Sequence, residues 1–303
     1  MRGVFIDANK SLADIFERQR KPGDPEVNVN LNPDITAEDV PAALGGAEII
    51  IVDHTQLPTD IAKKCAGLKH VVFLGTGARS YMNPEELSEI GIAVHLIKGY
   101  GDTAVAECAI ALMWAAARGL AAMDRGMRAG NWLRDDAMQL TGKTLGLIGF
   151  GGIAAETARI ALGSGLRVIA WNRTPKNFAG VEFVSLEKLL ASSDVVSLHL
   201  LLNDETRGLI TGKHIAAMKP GVILVNTARG AIVDETAMID ALKSGHIRHA
   251  GLDVFNIEPL PADHPLTKLP NVTLSAHSAF RTPEASENLI HAAWEHCRRI
   301  VKG

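Results

Sequence analysis

Short apolar runs that alternate with helical segments along the whole chain are the feature that most constrains its fold. Five such runs lie in the first hundred residues, at 4–8, 26–30, 47–53, 70–75 and 92–96. Six more follow, at 144–149, 166–171, 194–200, 221–226, 249–254 and 272–276. Strands that alternate with helices form parallel sheets covered by helices. The sequence therefore predicts an α/β protein.

The length of the chain and the gap between the two sets of strands predict two domains. A chain of 303 residues is too long for one typical domain. The first five strands predict a flavodoxin-like sheet, and the last six predict a doubly wound Rossmann sheet. The Ala-rich segment 103–129 predicts one long helix that connects the domains, and a last helix at 282–301 is expected to pack on the first half. We therefore predict a first domain of 1–98 plus 281–303, with a Rossmann domain of 99–280 inserted in it.

The composition narrows the classes of partner and the compartment. A formal net charge of -3 gives no reason to expect nucleic acid or an anionic membrane as a partner. The first residues are too polar for a signal peptide, and no apolar run reaches the about 18 residues of a membrane span. The three cysteines lie far apart, which argues against a disulfide framework and against a thiolate metal site. We expect a cytoplasmic protein without a metal.

A glycine-rich turn follows the strand at 144–149 and begins a helix. In this turn, Gly149 allows a tight bend, and Gly151 lets the backbone approach a pyrophosphate next to Gly152. Ala154 takes the third glycine position, where close helix–strand packing also tolerates alanine. The helix N-terminus offers free N–H groups to an anion. The pattern predicts a dinucleotide site, and the alternative is a strand–helix turn that binds nothing.

The end of the next strand indicates which dinucleotide binds. An acidic residue is expected there to hold the ribose hydroxyls of NAD, whereas this chain has Asn172, followed by Arg173 and Thr174. Without the carboxylate a 2′-phosphate is not repelled, and Arg173 can pair with it. We therefore favour NADP(H), with NAD(H) possible if Arg173 is only a solvated turn residue.

Three longer segments resemble the NAD(P)-dependent D-isomer-specific 2-hydroxyacid dehydrogenase family, which includes glyoxylate and hydroxypyruvate reductases. They are 194–210, 218–242 and 250–277. The family's catalytic Arg, Glu and His match Arg229, Glu258 and His277. An arginine suits the carboxylate of a 2-oxo acid, a histidine can give the proton that balances hydride addition, and a glutamate can orient that histidine. The resemblance implies hydride transfer between NADP(H) and C2 of a small D-2-hydroxy or 2-oxo acid.

The resemblance also implies further contacts. Cofactor contacts are expected at Gly152, Ile153, Thr206, Thr227, Ala228 and Asp253. Thr76 and Gly77 match the loop that holds the substrate carboxylate with backbone N–H groups, so the first domain is expected to bind substrate across a cleft. Leu201 and Ala276 replace prolines of the family pattern, and Arg79 replaces an acidic residue. These departures alter the expected wall of the substrate cleft.

Two alternatives remain open, together with an expected assembly. The chain could act with NAD on a bulkier oxo acid, or it could be a non-catalytic NAD(P) sensor similar to the corepressors of the same family. In the family, an arm equivalent to 120–140 is buried in a second subunit. This arm is rich in apolar side chains here, among them Met123, Met127, Trp132 and Met138. We therefore expect a homodimer.

Overall fold

A computed structural model describes residues 1–134, 136–174 and 176–302. The chain forms two compact units, and each has its own sheet. Unit 1 consists of Met1–Gly101 and Thr282–Gly303, and unit 2 consists of Asp102–Arg281.

The strands are β1 (Gly3–Phe5), β2 (Val27–Val29), β3 (Ile49–Val52), β4 (His70–Phe73), β5 (Ala93–Leu96), β6 (Thr144–Ile148), β7 (Arg167–Trp171), β8 (Val181–Phe183), β9 (Val195–Leu198), β10 (Val222–Asn226), β11 (Ile247–Leu252) and β12 (Val272–Leu274). The α-helices are α1 (Lys10–Arg18), α2 (Val40–Leu44), α3 (Thr59–Ala62), α4 (Pro84–Glu89), α5 (Asp102–Arg118), α6 (Leu120–Arg128), α7 (Gly152–Gly163), α8 (Leu186–Ser192), α9 (Gly212–Ala216), α10 (Glu235–Ser244), α11 (Pro265–Lys268) and α12 (Pro283–Lys302).

Unit 1 contains a parallel sheet in the order β2-β1-β3-β4-β5, which is the flavodoxin-like order predicted from the sequence. All four residues of β3 are buried, as expected for a central strand with helices on both faces. The last helix, α12, belongs to this unit and packs on α1. The Trp294 ring stacks on Phe16 with a centroid distance of 4.2 Å. The indole N–H of Trp294 also donates to the Phe16 carbonyl at 3.0 Å.

Unit 2 contains a parallel sheet in the order β12-β11-β10-β9-β6-β7-β8, the doubly wound arrangement. One apolar cluster lies under α8, α9 and α10, and another lies under α5 and α7, so both faces of the sheet are covered. The prediction of an α/β Rossmann domain is confirmed, but the prediction of six strands is wrong because β8 makes a seventh. This strand has three residues at the sheet edge and none of them is fully buried. It therefore lacks the apolar run that marks the other strands.

The single long helix predicted for 103–129 is two helices. Gly119 separates α5 from α6 with φ +61°, a left-handed conformation that glycine adopts without steric cost. No single helix among the described residues is long and apolar enough to span a membrane, whereas α5 and α6 together reach that length with a bend of 65°. The α5 residues Ala106, Ala109 and Met113 are buried within unit 2. This helix is therefore part of the unit 2 core.

Candidate active site

The carboxyl ends of the unit 2 strands bring most of the predicted site residues to one edge of the sheet. Strands β10, β11 and β12 are parallel neighbours, and they are followed in the chain by Arg229, Glu258 and His277. Strands β6 and β7 are also parallel neighbours, and they are followed by Gly149 and Asn172. Ligands of doubly wound sheets bind beyond this edge.

His277 and Glu258 form a hydrogen-bonded pair. The His277 Nδ1 atom lies 2.6 Å from Glu258 Oε2, and both side chains are about one-third exposed. The second carboxylate oxygen, Oε1, accepts a hydrogen bond from the backbone N–H of Phe255 at 2.8 Å. This hydrogen bond holds the Glu258 carboxylate against the backbone of the loop that carries it. The arrangement orients the ring and leaves Nε2 without a hydrogen-bond partner among the described residues.

The loop that carries His277 is held by Asp253, which is completely buried. Its Oδ1 accepts from Ser275 Oγ at 2.5 Å and from the Ser278 N–H at 3.0 Å, and its Oδ2 accepts from the Ala279 N–H at 3.0 Å. His277 between them has φ +47°, a left-handed conformation that is uncommon outside glycine. The Asp253 carboxylate therefore stabilises the backbone turn that presents His277. The predicted contact of Asp253 with a nicotinamide amide stays a prediction.

Arg229 is positioned by a residue that the sequence analysis did not single out. Asn226 ends β10 and is buried; its Nδ2 donates to the Arg229 carbonyl at 3.0 Å, and its Oδ1 accepts from the Ala228 N–H at 2.9 Å. The Arg229 Nη1 donates to the Ala228 carbonyl at 2.6 Å, and no carboxylate among the described residues pairs with the guanidinium. A polar side chain at the end of a wholly buried strand is the sequence signal that could have identified Asn226.

The glycine turn has the geometry of a phosphate-binding turn. Gly149 has φ +87°, and a Cβ there would lie 2.5 Å from the His199 carbonyl oxygen. Gly151 caps α7 without a side chain, and a Cβ on it would meet no atom within 4 Å. Ala154, in the third position of the motif, is completely buried in the packing of α7. A glycine is therefore required at Gly149 by the fold, whereas at Gly151 it leaves open space outside the helix terminus.

A neighbour of this turn was not anticipated from the sequence. The Asp102 carboxylate lies so close to Gly152 that any Cβ at Gly152 would overlap it. Burial raises the pKa of Asp102 above its ordinary value, and the nearby Glu156 carboxylate adds to the shift. Contacts between side chains and backbone that are fifty positions apart leave no mark in a local sequence pattern.

The three residues that follow β7 make local contacts. The Asn172 Oδ1 accepts from the Phe150 N–H of the glycine turn at 3.0 Å, and its Nδ2 donates to the Thr174 carbonyl at 2.7 Å. Arg173 forms an exposed ion pair with Glu205. Asn172 therefore ties the glycine turn to the end of β7.

Two predicted contact residues differ in how their hydroxyl groups are used. Thr206 Oγ1 donates to the Leu201 carbonyl at 2.6 Å, and it also accepts from the Asn203 N–H at 2.9 Å. Thr227 is buried, and its Oγ1 has no hydrogen-bond partner among the described residues. A buried hydroxyl without a partner costs free energy and marks a place where a ligand can supply the missing bond.

In unit 1, the predicted substrate loop follows β4. Thr76 is exposed, and Gly77 begins a short 3₁₀ turn over Ala78–Ser80. Arg79, which replaces an acidic residue of the family pattern, pairs with Glu85 of the same unit. Across the described parts of both units, no group of three or more His, Cys, Asp or Glu side chains has a geometry suited to a metal ion.

Comparisons with known proteins agree with this geometry. A family model described as "D-isomer specific 2-hydroxyacid dehydrogenase, NAD binding domain" matches residues 110–279. A hydroxypyruvate reductase from Thermotoga maritima is 38% identical over 247 residues, which cover 80% of this chain and 80% of the relative. A glyoxylate reductase from Thermococcus litoralis is 40% identical over 232 residues, which cover 72% of this chain and 70% of the relative. The structure of an acyclic imino acid reductase in complex with NADPH and D-Arg is similar with a TM-score of 0.87 and 29% identity, covering 100% of this chain and 97% of the other.

Proposed function

The chain belongs to the D-isomer-specific 2-hydroxyacid dehydrogenase family, and on that premise we propose that it reduces small 2-oxo acids such as glyoxylate and hydroxypyruvate with NADPH. The reaction is a reversible hydride transfer at C2 that gives or consumes the D-2-hydroxy acid. The observation that carries the proposal is the His277–Glu258 pair on the loops that follow β11 and β12, with Arg229 on the loop after the neighbouring strand.

We assign the proton transfer to His277. Its Nδ1 is engaged by Glu258 at 2.6 Å, so Nε2 is the ring atom available to a substrate oxygen. As negative charge grows on the C2 oxygen of an oxo acid, a protonated Nε2 can donate to that oxygen. In the reverse direction the neutral ring takes the hydroxyl proton. Glu258 stabilises the charged ring and holds it in one orientation.

We assign the substrate carboxylate to Arg229. The Ala228 carbonyl occupies one N–H of the guanidinium, and no described carboxylate occupies the others. A planar cation with free N–H groups suits a carboxylate through two parallel hydrogen bonds. In unit 1, Thr76 and Gly77 remain proposed substrate contacts, as the family resemblance implies.

The residues of the glycine turn fit a dinucleotide cofactor. Open space outside Gly151, the uncapped start of α7 and the unpartnered Thr227 hydroxyl are features that a pyrophosphate and its neighbouring groups would satisfy. A bound nicotinamide supplies or accepts the hydride. The Gly152 and Ile153 backbone would hold the pyrophosphate, while Thr206, Ala228 and Asp253 remain proposed contacts of the same cofactor.

For the choice of cofactor, we propose NADPH over NADH. No carboxylate follows β7, because Asn172 stands there and both ends of its amide are used within the fold. The Arg173–Glu205 pair is exposed on both sides, so its net stability is small. A 2′-phosphate carries more charge than one carboxylate and can displace Glu205 from Arg173. The NADPH found in the imino acid reductase supports the same choice.

We also propose a cytoplasmic homodimer. Met127, Trp132 and Leu133 are each more than half exposed in unit 2, and Trp132 reaches 73%. Large apolar side chains clustered in one segment are typical of a protein interface. The three cysteines are free thiols, which suits a reducing compartment. Sedimentation of the purified protein should give twice the chain mass, and a monomer at micromolar concentration would contradict the proposed dimer.

The reaction is tested by mixing the purified protein with NADPH and each of several oxo acids, and by following the loss of absorbance of the reduced nicotinamide. Glyoxylate and hydroxypyruvate should be reduced faster than a bulky aromatic oxo acid. The variant His277→Ala should lose about three or more orders of magnitude in kcat while keeping its affinity for NADPH. Near-normal turnover of that variant would remove His277 from the mechanism.

The cofactor site is tested separately with Gly151→Ala. Its φ of -98° is allowed for alanine and the methyl meets no atom, so the fold should be unaffected. The methyl would stand where the backbone must approach a pyrophosphate, and we expect the Kd for NADPH to rise at least about tenfold. Gly163→Ala, at the far end of the same helix and equally free of contacts, is the matched control. If both variants bind NADPH with equal affinity, the pyrophosphate does not bind next to Gly151.

A further inference from the structure

Asp102 is the first residue of α5 and of unit 2, and its carboxylate lies against the start of α7. A Cβ on Gly152, the first residue of α7, would overlap the Asp102 carboxylate. Among the described residues, none donates a hydrogen bond to this carboxylate or forms an ion pair with it. Helices α5 and α7 pack along one another, so the position of Asp102 is set by the core of unit 2.

The start of α7 attracts negative charge. The first N–H groups of a helix lack partners within the helix, and the aligned peptide dipoles place a partial positive charge there. Gly151 provides no side chain that could cap these groups. The chain itself therefore places an anion, the Asp102 carboxylate, beside Gly152 and next to the site where the proposed function puts the pyrophosphate.

We propose that the Asp102 carboxylate repels the cofactor pyrophosphate at the start of α7, so that dinucleotide binding is coupled to the uptake of a proton by Asp102. This inference rests on the proposed function, because it takes the pyrophosphate to bind at the glycine turn. It adds a residue that sets cofactor affinity and makes that affinity dependent on pH.

The surroundings of Asp102 favour a neutral carboxyl group. Burial raises the pKa of Asp102, and the Glu156 carboxylate on α7 raises it further. Glu156 also pairs with Arg159 at 2.9 Å, on the exposed face of the helix. Further along α5, the carboxylate of Asp253, which follows β11, helps to raise the pKa of Cys108. No cation among these groups faces Asp102, and a pyrophosphate would add two negative charges beside it.

The direction of the pH dependence follows from this charge balance. A pyrophosphate next to Asp102 makes the charged carboxylate less favourable, so the complex holds a proton at pH values where the free protein has lost it. Binding that takes up a proton weakens as the pH rises. The Kd should therefore increase by up to about tenfold per pH unit between the two pKa values of Asp102, that of the free protein and that of the complex.

The experiment measures the Kd of the purified protein for NADH and NADPH from pH 5.5 to 8.5 by fluorescence of the reduced nicotinamide. NADH has no 2′-phosphate that titrates in this range, so the pH dependence of its Kd reports the titration of groups on the protein. We compare the wild type with Asp102→Asn and Asp102→Ala, both of which remove the charge. Asp240→Asn on α10, an exposed position, is the control for a change of net charge alone.

Both Asp102 variants should bind NADH about tenfold or more tightly at pH 8, and their Kd should no longer depend on pH. Asp240→Asn should follow the wild-type curve. If the Asp102 variants bind as weakly as the wild type, or more weakly, the Asp102 carboxylate does not oppose cofactor binding. A wild-type Kd that is independent of pH also overturns the inference. Failure of the proposed cofactor site is distinguished by Gly151→Ala, which would then leave NADH binding unchanged.

Discussion

Replacing Asp253 by asparagine tests how firmly the fold positions His277. The carboxylate is completely buried and accepts three hydrogen bonds from the loop 275–279, at 2.5, 3.0 and 3.0 Å. Asparagine keeps one oxygen, which can stay at the Oδ1 position with two donors. Its NH₂ group then faces the Ala279 N–H, so a donor meets a donor in a buried place.

The cost can be worked from these contacts. A hydrogen bond to a charged group contributes about 1.5–3 kcal/mol, and an unsatisfied buried N–H costs about 1–3 kcal/mol. The two remaining bonds weaken because the acceptor is neutral. We expect a total loss of roughly 3–4 kcal/mol in the free energy that stabilises the turn holding His277 at φ +47°. If this turn must form for proton transfer, kcat decreases by about 100- to 1000-fold.

The assay compares kcat for hydroxypyruvate reduction with the Kd for NADPH and the free energy of unfolding. A positioning role predicts a large decrease in kcat with little change in the Kd for NADPH, whereas a direct contact of Asp253 with the nicotinamide would raise the Kd. Asp194→Asn is the matched control, because Asp194 is also hydrogen-bonded and largely buried but precedes β9 at the amino edge of the sheet. It should lower stability and leave kcat unchanged. A value of kcat for Asp253→Asn within about threefold of the wild type would refute the reasoning.

Four further predictions concern the cofactor, the turn, the core and pH. Glu205→Gln should lower KM for NADPH and leave KM for NADH unchanged, because it frees Arg173; equal effects on both would remove Arg173 from cofactor selection. Gly149→Ala, unlike the Gly151 variant, should destabilise the fold by about 2 kcal/mol or more, because φ is +87° and the added Cβ is 2.5 Å from a carbonyl oxygen, and chemical denaturation measures this loss. Trp294→Ala should lower the free energy of unfolding by about 3–5 kcal/mol, since the ring is fully buried; a loss below about 1 kcal/mol would show that unit 1 does not depend on α12. His54→Gln should destabilise unit 1 at neutral pH, because hydrogen bonding to Asp53 raises the pKa of His54 to about 9. The loss should be on the order of 1 kcal/mol or less, because solvent screens the half-exposed ring. The difference in stability from the wild type should vanish as the pH rises through about 9, and a difference that grows with pH would contradict this prediction.

Much of the fold could be predicted from the sequence because its signals are local. Each buried strand is a run of apolar residues, and the glycine turn is marked by residues that only a tight bend requires. Strand β8 was not predicted because an edge strand of three residues, none of them fully buried, has no such apolar pattern. The break between α5 and α6 was not predicted because Gly119 is a single residue in an Ala-rich segment, where one glycine does not by itself indicate a left-handed φ.

The candidate site was predictable to the extent that its residues follow strand ends. The family resemblance identified Arg229, Glu258 and His277, and the order of a doubly wound sheet places all three after neighbouring strands. The supporting contacts could not be predicted in the same way. Asp253 and Asn226 hold the loops through hydrogen bonds whose geometry depends on exact loop conformation, and Asp102 reaches Gly152 only because α5 packs on α7.

The two-segment composition of unit 1 has a consequence for the order in which the protein matures on the ribosome. The Trp294 indole bonds to a carbonyl 278 positions earlier in the chain, and the stacked Phe16 lies in the first helix. All of unit 2 is synthesised between these two residues, so its sheet can form while the unit 1 core is still missing α12. Nascent chains should thus expose the part of α1 that α12 covers until α12 has been synthesised, which makes unit 1 the part that needs chaperone protection during synthesis.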